Sequence, residues 1–333
     1  SFQIIPTRGM GLWKGRMRGI ELGWDSPVDE IVHPSLVNLE SRGGLGWLEG
    51  FGEWINRCGL ASNGSPGVDE VRSNTGAIVP VELTLHGKAA YIPARRVEVV
   101  IEPPPSRRII IRGVVDEVMM FGPKLRLVTE ISTVPGSTSL RIDDEIQNLG
   151  ATPQEMQILY HANFGPPLLE EGSQLLAPVR RVFPRDARAA EGEMRDWNVY
   201  GAPDPTFVEQ VHFLELFGDA DGRTEVVLKN RAGEKGVSLA FSIERLPCLT
   251  LWKNTAAKEN GYVTGIEPGT NYPNHRKHER ARGRVPVLEA KGSYRADLTI
   301  EVLPDSAAVT KAAARVAELQ TAGKPIVELE PEK

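Results

Sequence analysis

An all-β fold, a sandwich of antiparallel strands with one C-terminal helix, is what this sequence predicts. Three observations predict it. Stretches of period-two alternation fill the middle of the chain. Glycine and proline, 33 and 25 of the 333 residues, fall between those stretches. No strand–helix–strand alternation of the Rossmann or TIM-barrel kind is present. Short strands at regular spacing with Gly/Pro punctuation are the pattern of sandwiches and barrels.

The elements follow in chain order. Ser1 leads directly into an apolar stretch, Phe2 to Pro6, which reads as a trimmed or processed start. A short helix is expected over Trp47 to Asn56. Strands are expected over Ile78 to Leu85 (IVPVELTL), Arg96 to Glu102 (RVEVVIE), Arg107 to Val118, Lys124 to Val134 and Ser137 to Gln147. The turn formers Pro103-Pro104-Pro105, Gly122-Pro123 and Pro135-Gly136 separate them. An apolar strand follows over Met156 to Tyr160. Arg185 to Pro205 is rich in charge, Gly and Pro and lacks a period; a loop of that length is either functional or disordered. Further strands are expected over Val208 to Phe217, Thr224 to Lys229, Val237 to Arg245, Leu249 to Asn254 and Ser293 to Leu303. A helix is expected at about 306–322: Asp305-Ser306 offers an N-cap, Val309, Ala312, Ala313, Val316 and Leu319 form an apolar stripe at helical spacing, and Gly323 stops it. The charged tail Glu328 to Lys333 is expected to fray. With no internal repeat and no low-complexity linker, residues 1–333 read as one domain.

Composition narrows the function classes. A hydrophobic content of 41% supports a large core. Charged residues make up 25%, with a net charge of -5 and interspersed signs. That leaves no nucleic-acid footprint and no basic amphipathic segment for a membrane surface. No apolar run is long enough to span a bilayer. Cys58 and Cys248 form neither a disulfide framework nor a zinc spacing, so they read as reduced, buried thiols of a cytoplasmic protein. His275 and His278 lie in a basic run, Pro273 to Arg280, without the cysteines or tight carboxylates of a metal site. That run reads as a solvated loop. It could meet an anionic substrate group, as could Arg180, Arg181 and Arg185.

Three strand ends carry candidate chemistry. His161, in Tyr160-His161-Ala162-Asn163-Phe164-Gly165, ends an apolar strand and titrates near neutral pH. Glu267, in Gly265-Ile266-Glu267-Pro268-Gly269-Thr270-Asn271, is a lone acid between an apolar segment and a Pro-Gly turn, where a general base could face a cleft. His86, in Leu85-His86-Gly87-Lys88, is followed by a glycine that would let backbone approach a ligand. Taken singly, each also fits an ordinary structural role.

Together they resemble a family. Leu85-His86-Gly87, the segment from Asn148 through Tyr160-His161-Ala162-Asn163-Phe164, and Ile266-Glu267-Pro268 come in the order of similar elements in aldose 1-epimerases, the galactose mutarotase-like family. A bacterial branch of that family is similar over nearly the whole chain, including Arg8-Gly9-Met10 and Arg57-Cys58-Gly59-Leu60. The resemblance implies a mutarotase-like supersandwich whose concave sheet holds a monosaccharide or modified sugar. It implies His161 as general acid and Glu267 as general base. His86, Asn163 and Glu209 become substrate contacts, with Trp252 or Trp47 as an aromatic platform; both tryptophans also fit a core role. Such ring opening and reclosure requires no metal or redox cofactor. The chain departs from the family in lacking a Gly-Arg-x-Ala-Asn-Arg element, so Arg8, Arg42 or Arg57 would have to replace its arginine, and Lys88 stands where a second glycine is usual. A sugar-binding module without turnover, or a lyase or hydrolase, would fit the same scaffold.

Overall fold

The structure, a computed structural model, describes residues 1–332. Among the described residues, two large sheets face each other, antiparallel throughout except for the parallel pair of Val179–Pro184 with Ile326–Val327 in the first. The first runs in the order Phe2–Ile5, Gly11–Met17, Ile55–Leu60, Gln157–Phe164, Val263–Gly269, Cys248–Asn254, Gln210–Leu216, Val179–Pro184 and Ile326–Val327, with Ile20–Leu22 paired to Gly11–Met17. The second runs Gln174–Leu176, Arg223–Lys229, Gly236–Ser242, Ser293–Leu303, Ser139–Asn148, Lys124–Thr133, Ile109–Val118 and Arg96–Ile101.

Alternation explains the layers. In Ser139–Asn148 the buried positions are Leu140, Ile142, Asp144, Ile146 and Asn148, and their neighbours are more exposed. The apolar members meet Ile158, Tyr160, Ala162 and Phe164 from the facing sheet in the main core. Asp144 is the exception on this buried face. Arg57 answers it from the other sheet, with Nε 2.5 Å and Nη2 3.1 Å from the carboxylate and with Met10 O and Thr129 Oγ1 as further acceptors. A charge in a core is tolerated only when paired and hydrogen-bonded in this way.

The expected strands are present, most with small shifts at their ends, and Ser293–Leu303 matches at both ends; the Met156 to Tyr160 strand instead runs Gln157–Phe164, so His161 lies inside a strand and not at its end. The C-terminal helix spans Ser306–Gln320, capped by Asp305 accepting from Ala308 N, and lays Val309, Ala312 and Val316 on the second sheet.

Three expectations are corrected. Trp47 to Asn56 is not a helix: a 3-10 turn covers Gly46–Gly50, and the chain then extends into the Ile55–Leu60 strand. Glycines 46, 50 and 52 weaken a longer helix there. The basic run after Pro273 is not a solvated loop. It forms the helix Arg276–Ala281, whose Arg276 and Arg280 grip the buried Asp69 of a separate hairpin, Gly67–Arg72 with Ile78–Leu83. The tail is held rather than frayed, with Arg181 on Glu328 and Arg284 on Glu332; Lys333 lies outside the described residues. Both cysteines are free and buried. Among the described residues no helix is long and apolar enough to cross a membrane.

Candidate active site

The face of the first sheet turned away from the main core carries the candidate residues. Ala162 pairs with Ile266 and Asn163 with Gly265, a register that sets His161 directly opposite Glu267 on the adjacent strand. The same ladders continue the row, with Asn56 beside His161 and Thr250 beside Glu267. Side chains directly opposite on neighbouring strands lie about 4.5–5.5 Å apart at Cβ, which is why residues so distant in sequence touch here. His161 Nε2 is 3.2 Å from Glu267 Oε1, and both residues are buried.

Hydrogen bonds assign the imidazole tautomer. Asn163 Nδ2 donates to Glu53 O and His161 O, so its Oδ1 is the acceptor for His161 Nδ1–H at 2.7 Å. The Nε2 lone pair is left facing Glu267. Burial pushes the Glu267 carboxyl well above the usual carboxylate range; the nearby Glu209 adds to this and Arg185 opposes it. Burial, with a smaller contribution from His86, pushes His161 well below the usual imidazole range, against the Asn163 hydrogen bond. Both groups therefore favour their neutral forms, which leaves the pair one transferable proton, on Glu267, with the two side chains in contact but not hydrogen-bonded.

Aromatic rings enclose the pair. Trp47, Phe51 and Trp252 lie 5.7, 5.0 and 5.5 Å from the His161 ring centroid, and His86 lies at 5.2 Å. His86 Nδ1–H donates to Asn63 O, leaving Nε2 as an acceptor, and burial pushes its pKa down to about 4. Trp252 Nε1 donates to Glu209 at 2.7 Å, and Glu209 also pairs with Arg185 at the half-exposed rim. Gly265 is the floor of the site. A Cβ there would collide with Glu267 Oε1 and lie 3.2 Å from both His161 Cε1 and Trp252 Cε3. Four buried polar atoms around this row have no hydrogen-bond partner among the described residues: Trp47 Nε1, Asn56 Oδ1, Thr250 Oγ1 and Glu267 Oε1. Orphaned buried polar atoms are rare in folded proteins, and these gather beside two facing proton-transfer groups.

Thus His161, Glu267, Asn163, His86, Trp252 and Glu209 are brought together. Arg8 comes near, but both of its terminal nitrogens are taken by other groups, and only the buried Nε has no partner. Its guanidinium meets Val32 O, Gly50 O and Glu53 Oε1 and stacks over Tyr91 at 4.3 Å. Arg57 is diverted to Asp144, Arg181 to Glu215 and Glu328, and Arg276 to Asp69. Phe51, Glu53 and Gly265 escaped the sequence reading. Gly265 had a usable signal, a glycine two residues before the candidate base and so on the same strand face. Glu53 had only its place as a lone acid in an aromatic, glycine-rich stretch. Among the described residues no group of three or more His, Cys, Asp or Glu could hold a metal ion.

The sequence profile described as "Domain of unknown function (DUF4432)" matches residues 1–302. The chain belongs to the DUF4432 family. A solved structure similar to this DUF4432 chain is that of a "putative aldose 1-epimerase" from Klebsiella pneumoniae subsp. pneumoniae. It is 41% identical over 100% of this chain and 84% of its own, with a TM-score of 0.93. More distant likenesses show the fold alone. A galactose mutarotase-like protein from Clostridium acetobutylicum is 14% identical over 90% of this chain and 91% of its own, with a TM-score of 0.60. A protein of Synechocystis sp. PCC 6803 is 18% identical over 90% and 91%, with a TM-score of 0.59. The DUF4432 chain therefore has the galactose mutarotase-like fold that its motifs imply. Among curated proteins none matches it.

Proposed function

We propose that this DUF4432 protein interconverts the anomers of a free or modified aldose by general acid–base catalysis. The carrying observation is the His161–Glu267 pair, in contact at 3.2 Å with the imidazole tautomer set by Asn163. Ring opening requires removal of the C1-hydroxyl proton and protonation of the ring oxygen. The O–H electron pair becomes the C1=O π bond, the C1–O5 bond breaks, and O5 takes up a proton. Rotation about C1–C2 and the reverse steps give the other anomer. One proton shared by two groups is the inventory this cycle needs. Passing it from Glu267 to His161 produces a carboxylate base and an imidazolium acid, and the groups exchange roles on reclosure. Polar sugar hydroxyls favour that charge-separated form by hydrogen-bonding the carboxylate. Trp252, with its indole oriented by Glu209, offers an apolar face for a pyranose, and His86 Nε2 and Asn56 Oδ1 accept from hydroxyls. Arg8 acts one step removed by holding the Gly50–Glu53 segment against Asn163.

Anomerically pure aldoses, followed by polarimetry or NMR exchange, test the reading. Exchange should accelerate with the native protein. It should fall about 10²–10⁴-fold in each of His161→Ala and Glu267→Gln, with the double variant no worse than the weaker single, because the two act as one unit. One observation favours a second reading, a sugar-binding module without turnover: the pair closes on itself rather than standing a sugar's width apart. Saturable binding with no acceleration for any aldose would establish that reading instead.

A further inference from the structure

The Arg96–Ile101 strand ends its sheet, and its outer edge is open. Glu102 N donates to Arg108 O, so within the ladder it makes with Ile109–Val118 the even-numbered residues hold the hydrogen bonds. In an antiparallel pair, bonded and non-bonded residues alternate. Val97, Val99 and Ile101 therefore turn their N–H and C=O groups outward. Their side chains are exposed, at 43%, 63% and 69%. Open apolar edges template strand pairing, and Pro103, the next odd residue, has no N–H to continue the row.

We infer that this edge pairs with the same edge of a second copy, Val99 lying on the two-fold axis, to join two sheets into one. Two arguments select this occupant and register. Pairing by an exact two-fold must match odd residues with odd residues. Only the arrangement centred on Val99 uses all three outward residues, Val97 with Ile101 of the other copy and Val99 with its own equivalent. That same arrangement sets Arg96 opposite Glu102 of the other copy, twice, at non-hydrogen-bonded sites where facing side chains come closest. Arg96 is largely exposed and its ion pair with Glu98 is long, at 3.8 Å, so it can turn to Glu102, whose Oε2 also accepts from Ser106 Oγ. Backbone parity and charge are independent features of the strand, and they select one register.

Sedimentation velocity on the full chain tests the inference. The native protein should be a dimer at about 10 μM and above, in the range of ordinary transient interfaces. Val99→Lys places two ammonium groups against each other on the axis and should give monomers. Arg96→Glu and Glu102→Arg should each weaken the dimer at least about tenfold, and together they should restore it, because the ion pair re-forms with reversed sense. The charge variants are on the surface and decide the matter even where Val99→Lys folds poorly. A native protein that stays monomeric at about 100 μM, a dimer indifferent to Val99→Lys, or charge variants without mutual rescue would each overturn the pairing. The first outcome would leave the edge to an extended segment of another protein.

Discussion

Gly265→Ala isolates the geometry of the proposed chemistry from the stability of the fold. Gly265 lies in a strand with ordinary extended backbone, so alanine imposes no backbone strain. Its methyl would, however, overlap Glu267 Oε1 and press to 3.2 Å on His161 Cε1 and Trp252 Cε3. The carboxylate must withdraw by about 1 Å, and a misplacement of that size costs about 10²-fold in rate, equivalent to about 2.7 kcal/mol in the barrier. Overpacking should cost about 1–3 kcal/mol of stability, a shift of a few degrees in Tm. NMR exchange of a pure anomer, run beside a thermal melt, separates the two effects. A Gly265→Ala protein that exchanges anomers within about twofold of the native rate would show that the Glu267 position is immaterial and would remove the basis of the mechanism.

Other outcomes follow from the same geometry. The pH profile of kcat/KM should show a plateau wider than the interval between ordinary carboxyl and imidazole values, 4.5 and 6.5. Activity needs one proton on the pair. It falls on the acid side only when the depressed His161 also protonates, and on the alkaline side only when the elevated Glu267 ionises; a bell confined between 4.5 and 6.5 would contradict this. Asn163→Leu removes the acceptor that fixes the His161 tautomer and leaves the buried Nδ1–H without its partner, while Glu53 O keeps Trp24 Nε1 as a donor. It should lower activity and cost about 1–3 kcal/mol for the unsatisfied Nδ1–H, read by urea denaturation, and full activity would refute the tautomer assignment. Asp144→Ala leaves the Arg57 charge buried without its partner and should cost about 3–5 kcal/mol; a loss below about 1 kcal/mol in the same denaturation assay would show that the pair is dispensable.

The strands, their punctuation and the terminal helix were legible in the sequence because they rest on local rules. Alternation marks a half-buried strand, Gly and Pro mark turns, and Asp305 with a 3.6-residue stripe marks a capped helix. Residue chemistry also marked His161, Glu267 and His86 as candidates, order along the chain tied them to a family, and that resemblance added Trp252. Which of them meet was decided by strand order and register. Gln157–Phe164 lies beside Val263–Gly269, and that ladder alone brings His161 onto Glu267. Tertiary pairing also settled the arginines. Arg57, Arg181 and Arg276 carry the same charge in the sequence, and only the positions of Asp144, Glu328 and Asp69 in space divert them to structural work. A side chain's type is a local property, whereas its partner, its burial and hence its pKa depend on what the folded chain sets within a few ångströms of it.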